Sequence, residues 1–173
     1  MRFFVLMAIY GVAGVVLSTT ILAGWPTGML RFDFIIPAVA VVSFYKSRAQ
    51  ALPVIVFYGL IVDVASAAPF GMSVLSYLVI YFFVRAVVTK ISFQEGVALL
   101  FWVAIISLID KLVCSLVILV STGSIAIPRI IMEISPAQAL IDAALGFLII
   151  PVLTKYWDLS WDKIRRPKGL VLK

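Results

Sequence analysis

Long apolar runs dominate the chain, and the short stretches between them carry most of the charge. The runs cover approximately residues 3–23, 33–45, 51–66, 70–88, 97–120 and 137–154. At about 1.5 Å of rise per residue, the first, fourth and fifth suffice to cross a hydrocarbon core of roughly 30 Å. The third and sixth fall a little short. The second has a strictly apolar part only about 18 Å long. It spans if Met29 and Leu30 extend it, if the bilayer thins, or if Arg31 snorkels outward. The first run follows Arg2, as a signal peptide would, but it is longer than a typical signal core and no small-x-small cleavage site follows it. It is therefore read as the first span.

Composition agrees with this pattern. Of 173 residues, 64 % are apolar and only 13 % charged, against roughly 45–50 % and 25 % in a soluble domain. Too little polar surface exists to cover such a chain in water, so the sequence is that of a membrane protein. It contains no histidine, which excludes Ser-His and Cys-His catalysis and imidazole metal sites. The single cysteine, Cys114, lies in an apolar run, where it reads as a small buried hydrophobe. No glycine-rich phosphate loop occurs. No metal or cofactor is expected.

The net charge of +6 is concentrated at one end, because residues 155–173 hold six basic and two acidic side chains. That is a basic tail held near anionic lipid, with no implication of nucleic acid. With six spans and the N-terminus inside, eleven basic residues face the cytoplasm, and only Arg31 and Arg129 face outward. A five-span model that omits the second run and reverses the N-terminus gives the same division. The short N-terminus with Arg2 favours six. The expected fold is an all-α polytopic bundle with both termini cytoplasmic, a single transmembrane domain over 1–154 and an amphipathic tail over 155–173.

Two segments have the spacing of interfacial helices. Ile127, Ile130, Ile131 and Ile134 repeat at helical intervals behind Pro128, with Arg129 and Glu133 on another face. This predicts a short helix on the outer membrane surface. Trp157, Trp161 and Ile164 precede Arg165 and Arg166 in the tail, so Trp157, Trp161, Arg165 and Arg166 are read as anchors at the inner interface.

Asp63, Asp110, Lys111 and Asp142 fall inside the spans. Each ionised side chain near a helix centre costs roughly 2.5–3.5 kcal/mol, so these groups are expected to face inward and to pair. Neighbouring helical positions point about 100° apart, so Lys111 is expected to reach a carboxylate on another helix instead of Asp110. Topology puts Asp33 at the outer face, Asp63 and Asp142 in the outer half, and Asp110 and Lys111 near the middle. This arrangement describes either a polar cavity open to the outside or a closed network that fixes helix register. Ser107 and Lys111, four apart, permit a Ser-Lys dyad to be drawn. Asp63 and Asp142 would be the pair for an intramembrane aspartyl peptidase, but the motifs of two such groups are missing.

Residues 59–71 read Gly-Leu-Ile-Val-Asp-Val-Ala-Ser-Ala-Ala-Pro-Phe-Gly. Gly59 lies one turn before Asp63 and permits close helix approach there, while Pro69 and Gly71 force a tight, uncharged turn. Gly-x-x-x-Asp, a small residue and Pro-x-Gly, followed by a span with Tyr77 and Tyr81, resembles the rod shape-determining MreD family. Arg31-Phe32-Asp33 stands where that family typically has Arg-Pro-Asp, a departure at the middle position. Length, span number and basic tail also fit, so the resemblance covers essentially the whole chain.

The resemblance implies a non-enzymatic scaffold of the cell-elongation complex in the bacterial inner membrane. Its implied partners are an MreC-like single-span protein, an MreB-like filament, a SEDS glycosyltransferase and a class B penicillin-binding protein, which build lateral peptidoglycan. The family is also similar in fold to the S-components of energy-coupling-factor vitamin transporters, and substrate binding of that kind is the alternative. Asp33, Gly59, Asp63, Pro69, Gly71, Asp110, Lys111 and Asp142 are the residues expected to serve a partner or a cavity. Gly11 and Gly14 permit close approach of another helix to the first span, whether a partner's or the chain's own. Self-association is compatible with all of this.

Overall fold

The computed structural model describes residues 2–20, 33–66, 69–88 and 96–156. Each apolar run gives a helix: α1 (Arg2–Thr20), α2 (Ile35–Tyr45), α3 (Arg48–Ala65), α4 (Met72–Val88), α5 (Gly96–Thr122) and α6 (Ala126–Tyr156). Four of them, α1, α3, α5 and α6, are long and apolar enough to cross a membrane, whereas α2 and α4 are shorter. Arg31 and the four tail anchors Trp157, Trp161, Arg165 and Arg166 lie outside the described residues.

The second run, which looked marginal as a span, forms the centre of the bundle. α2 touches each of the other helices, which follow one another around it in the order α1, α3, α4, α5, α6. Ile35 to Ser43 are all buried. A helix apolar on every side belongs inside a bundle, and the alanines and valines of α2 let its neighbours approach. Pro37 falls in the first turn, where a missing N–H matters least.

Eleven residues rise about 16 Å, roughly half of a 30 Å hydrocarbon core. The start of α2 is level with the middle of α1, since the Tyr10 hydroxyl donates to the Phe34 carbonyl at 2.8 Å. A Cβ on Gly14 would stand 3.3 Å from both Phe34 and Ile35. The other end of α2 lies with the ends of its neighbours. Lys46 Nζ sits 4.3 Å from the centre of the Phe3 ring, Arg85 donates to the Lys46 carbonyl, and Phe44 and Phe83 both meet Trp102. Lys46, Arg48 and Arg85 therefore gather at one end of the bundle. Gly11 and Gly14 both serve internal packing, Gly11 against the Tyr58 ring. The Tyr58 hydroxyl donates across to the Met7 carbonyl at 3.0 Å.

The isoleucine stripe does not form a separate surface helix. It is the opening of α6, which continues unbroken from Ala126 through Pro136. Proline removes the N–H that would bond to the carbonyl four residues earlier, that of Met132. Ser135 Oγ donates to that same carbonyl at 3.0 Å. A serine hydroxyl can re-satisfy a carbonyl freed in this way, so the helix passes through. Arg129 and Glu133 form the expected i, i+4 pair at 3.0 Å, well exposed.

Candidate functional site

The residues singled out in the sequence separate into two places. Gly59, Asp63, Pro69 and Gly71 build the α3–α4 hairpin. Asp33, Asp110, Lys111 and Asp142 lie part-way along the bundle, where Lys111 bonds to Asp110.

At the hairpin, Asp63 is only 4 % exposed. Its Oδ2 accepts from the Gly71 N–H at 2.8 Å and its Oδ1 from the Ser73 N–H at 2.8 Å. Both oxygens thus satisfy amides at the start of α4, which lack partners inside that helix. The negative charge also stands at the positive end of the helix dipole. Gly71 has φ of 91°, a left-handed conformation that glycine adopts without steric penalty. At Gly59 an added Cβ would lie 2.5 Å from the Val74 Cα, so α3 and α4 meet backbone to backbone. The Pro69 carbonyl accepts from the Met72 N–H at 3.1 Å, closing the turn. Phe70 and Val64 remain exposed on the tip. Each motif residue therefore has a local structural task, and the Asp63 carboxylate is occupied by main chain.

The second place lies deeper. Asp110 is the tenth of the 22 residues of the apolar stretch Phe101–Thr122, and Asp142 the seventeenth of the 28 in Ala126–Leu153. Asp33 also lies away from the helix ends, because it precedes Phe34, whose carbonyl accepts from Tyr10 at the middle of α1. The expectation that Asp33 marks the outer face is therefore overturned. The cause is the short α2: Asp33 Oδ1 accepts from the N–H groups of Ile35 at 3.0 Å and Ile36 at 3.4 Å, which starts the helix at half depth. Asp63 also stands apart from the other acids, in the hairpin.

Neutral donors serve the two aspartates of the long helices. Asp142 accepts from Ser107 Oγ and, at 2.9 Å, from Gln138 Nε2. Ser76 Oγ donates to Asp110 Oδ1, tying α4 to α5. Lys111 Nζ reaches Asp110 Oδ2 at 2.8 Å, contrary to the expectation that it bonds to another helix. Although adjacent positions diverge on a helix, the four-carbon lysine stem can fold back over its neighbour. Gly146 meets Val103 across the α5–α6 contact, with an added Cβ 3.2 Å from the valine methyl.

These bonds decide two of the catalytic readings. Ser107 donates to Asp142 and Lys111 bonds to Asp110, so the Ser-Lys dyad is not formed. α3 and α6 make no contact among the described residues, so Asp63 and Asp142 are not brought together. Among the described residues, no group of three or more aspartate, glutamate or cysteine side chains is arranged to hold a metal ion.

Sequence reading missed Ser76 and Gln138 as partners of the buried aspartates. Gln138 carried a signal, being four residues before Asp142 and hence on the same helix face. Ser76 carried none, since only tertiary packing turns it toward Asp110 of α5. Comparison with protein-family models, curated proteins and solved structures finds no match to this chain.

Proposed function

We propose that the chain is a non-enzymatic scaffold of the bacterial cell-elongation complex, resident in the inner membrane and binding an MreC-like single-span protein. The observation that supports this most is the hairpin. The residues that carry the resemblance, Gly59, Asp63, Pro69 and Gly71, act together as one closed unit that presents Phe70 and Val64. Exposed apolar side chains beside a bonded helix start suit a protein whose work is to hold another segment, because lipid supplies no extra hydrophobic drive and packing must provide the affinity.

In this reading all six helices lie in the membrane, with α2 reaching only half-way through it. The end with Lys46, Arg48 and Arg85 faces the cytoplasm, following the positive-inside rule. Both termini are then cytoplasmic. The MreB-like filament, SEDS glycosyltransferase and class B penicillin-binding protein complete the assembly.

A second reading, a substrate-binding S-component, is favoured by one observation, the charged cluster at half depth beside the start of α2. Affinity isolation from native membranes in mild detergent, followed by mass spectrometry, separates the two. The scaffold reading expects rod-complex proteins to co-purify and expects depletion to round the cells. Recovery of an energy-coupling protein with its ATPases instead, or normal shape after clean deletion, refutes it.

A further inference from the structure

The α3–α4 hairpin stops short of the far end of the bundle, the end opposite Lys46, Arg48 and Arg85. Three close contacts set the levels of the helices. Ser76 of α4 bonds to Asp110 of α5, Gly59 of α3 abuts the Val74 main chain of α4, and Ser107 of α5 bonds to Asp142 of α6. At about 1.5 Å per residue, α5 rises about 18 Å from Asp110 to its end at Thr122, whereas α4 starts only about 6 Å above Ser76. On the same count α3 ends about 12 Å above Ser76, and α6 begins about level with the end of α5. The hairpin therefore lies roughly one helical turn, or about 6 Å, below its two long neighbours.

Shifting the whole bundle does not remove the step. It would lift Val120, Ile125, Ile127 and Met132, all exposed, into water, and would draw Lys46, Arg48 and Arg85 toward hydrocarbon. The hairpin carries a second, independent sign. α3 ends at Ala65, so the carbonyls of Asp63, Val64 and Ala65 have no later turn to bond to. Among the described residues, no main-chain amide reaches them. Val64 is 79 % and Phe70 75 % exposed, and Ala65 and Pro69 are exposed beside them, so the chain does not cover its own tip. Hydrocarbon does not sustain bare main-chain acceptors facing lipid. An apolar partner helix offers them no donor, since its own amides are bonded, whereas water and amine-bearing headgroups do. A bilayer meets a hydrophobic segment shorter than itself by thinning locally.

We propose that the α3–α4 side of the protein fits a locally thinned bilayer, in which the leaflet at the far end dips by about one helical turn, 6 Å, to meet the hairpin. Headgroups and water then donate to the α3 carbonyls, and Phe70 and Val64 lie at the dipped surface. On the α5–α6 side the same leaflet keeps its ordinary height. Neither functional reading above is needed for this, only that the helices cross a bilayer.

The test places spin labels on the full chain, alone in dioleoyl phospholipid vesicles, at Phe70→Cys, Ile125→Cys and Leu140→Cys, each combined with Cys114→Ala. Ile125 marks the turn between α5 and α6, and Leu140, exposed on α6, lies close to the level of Ser76. Collisions with a water-soluble nickel chelate and with oxygen report the depth of each label. The Phe70 label should meet the chelate about as often as the Ile125 label, and several-fold more often than the Leu140 label. A Phe70 label closer to Leu140 than to Ile125 means a flat leaflet over the tip and overturns the proposal. An Ile125 label free in water, while Phe70 lies at the interface, means a shifted bundle and overturns it too. The unaltered protein supplies a reading without substitution: its Tm should be lower in long-chain dierucoyl lipid than in short-chain dimyristoleoyl lipid. An equal or higher Tm in the longer chains would refute the short side.

Discussion

Replacing Asp63 by alanine should destabilise the bundle more than an ordinary loss of a helix cap. The carboxylate holds two main-chain amides, each at 2.8 Å, in a site where the side chain is 4 % exposed. Loss of a single cap residue typically costs about 0.5–2 kcal/mol. Here two bonds to a charged acceptor vanish, each worth about 1.5–3 kcal/mol, and both amides are left without a partner. The expected loss is therefore about 3–5 kcal/mol, toward the upper end because burial keeps water from replacing the carboxylate.

Asp63→Asn keeps one oxygen but turns an NH2 group toward the other amide, so roughly half of that loss is expected. Equilibrium unfolding in mixed micelles with increasing dodecyl sulfate, followed by tryptophan fluorescence, measures all three proteins. The reasoning fails if the alanine variant lies within about 1 kcal/mol of the parent, or if asparagine is as harmful as alanine. Partner recovery, normalised to folded protein, then separates folding from binding. A fully folded Asp63→Ala protein that no longer retains its partner would give Asp63 a second role beyond the cap.

The remaining expectations concern packing and charge. Ala at Gly59 clashes with the Val74 main chain, so trimming Val74 to Ala should not restore stability. Ala at Gly11 meets only the Tyr58 ring, and Tyr58→Leu should partly rescue it; the same unfolding assay reads both double variants. Lys111→Met leaves the buried Asp110 carboxylate without its ammonium partner and should cost about 3–5 kcal/mol. Adding Asp110→Asn to that variant should recover part of the loss, and a further drop instead would contradict the pairing of Lys111 with Asp110. Ser135→Ala frees the Met132 carbonyl beside Pro136. Amide hydrogen exchange should then quicken around residues 132–136, and unchanged protection there would refute the account of why α6 stays continuous.

Sequence alone determined that this is a helical membrane protein and, except for the opening of α6, roughly where its helices lie, because apolar runs of given length have few stable forms in lipid. It also marked residues 59–71 as a tight hairpin, since Gly59, Pro69 and Gly71 restrict the backbone locally. Bonds between residues four apart, such as Arg129 with Glu133, were legible for the same reason.

Depth and partnership were decided only by the tertiary structure. The short length of the second run was legible, but nothing local says that it forms the central helix, since an apolar run reads alike whether it faces lipid or five other helices. The bond from Ser76 to Asp110 and the position of Tyr77 depend on how α4 is rotated against α5, which no single helix encodes. Asp63 and Asp142 look equivalent as buried acids, yet one caps a hairpin and the other joins a charged cluster. The difference follows from geometry: main-chain amides at a helix start take up the first, while side chains from other turns and helices surround the second.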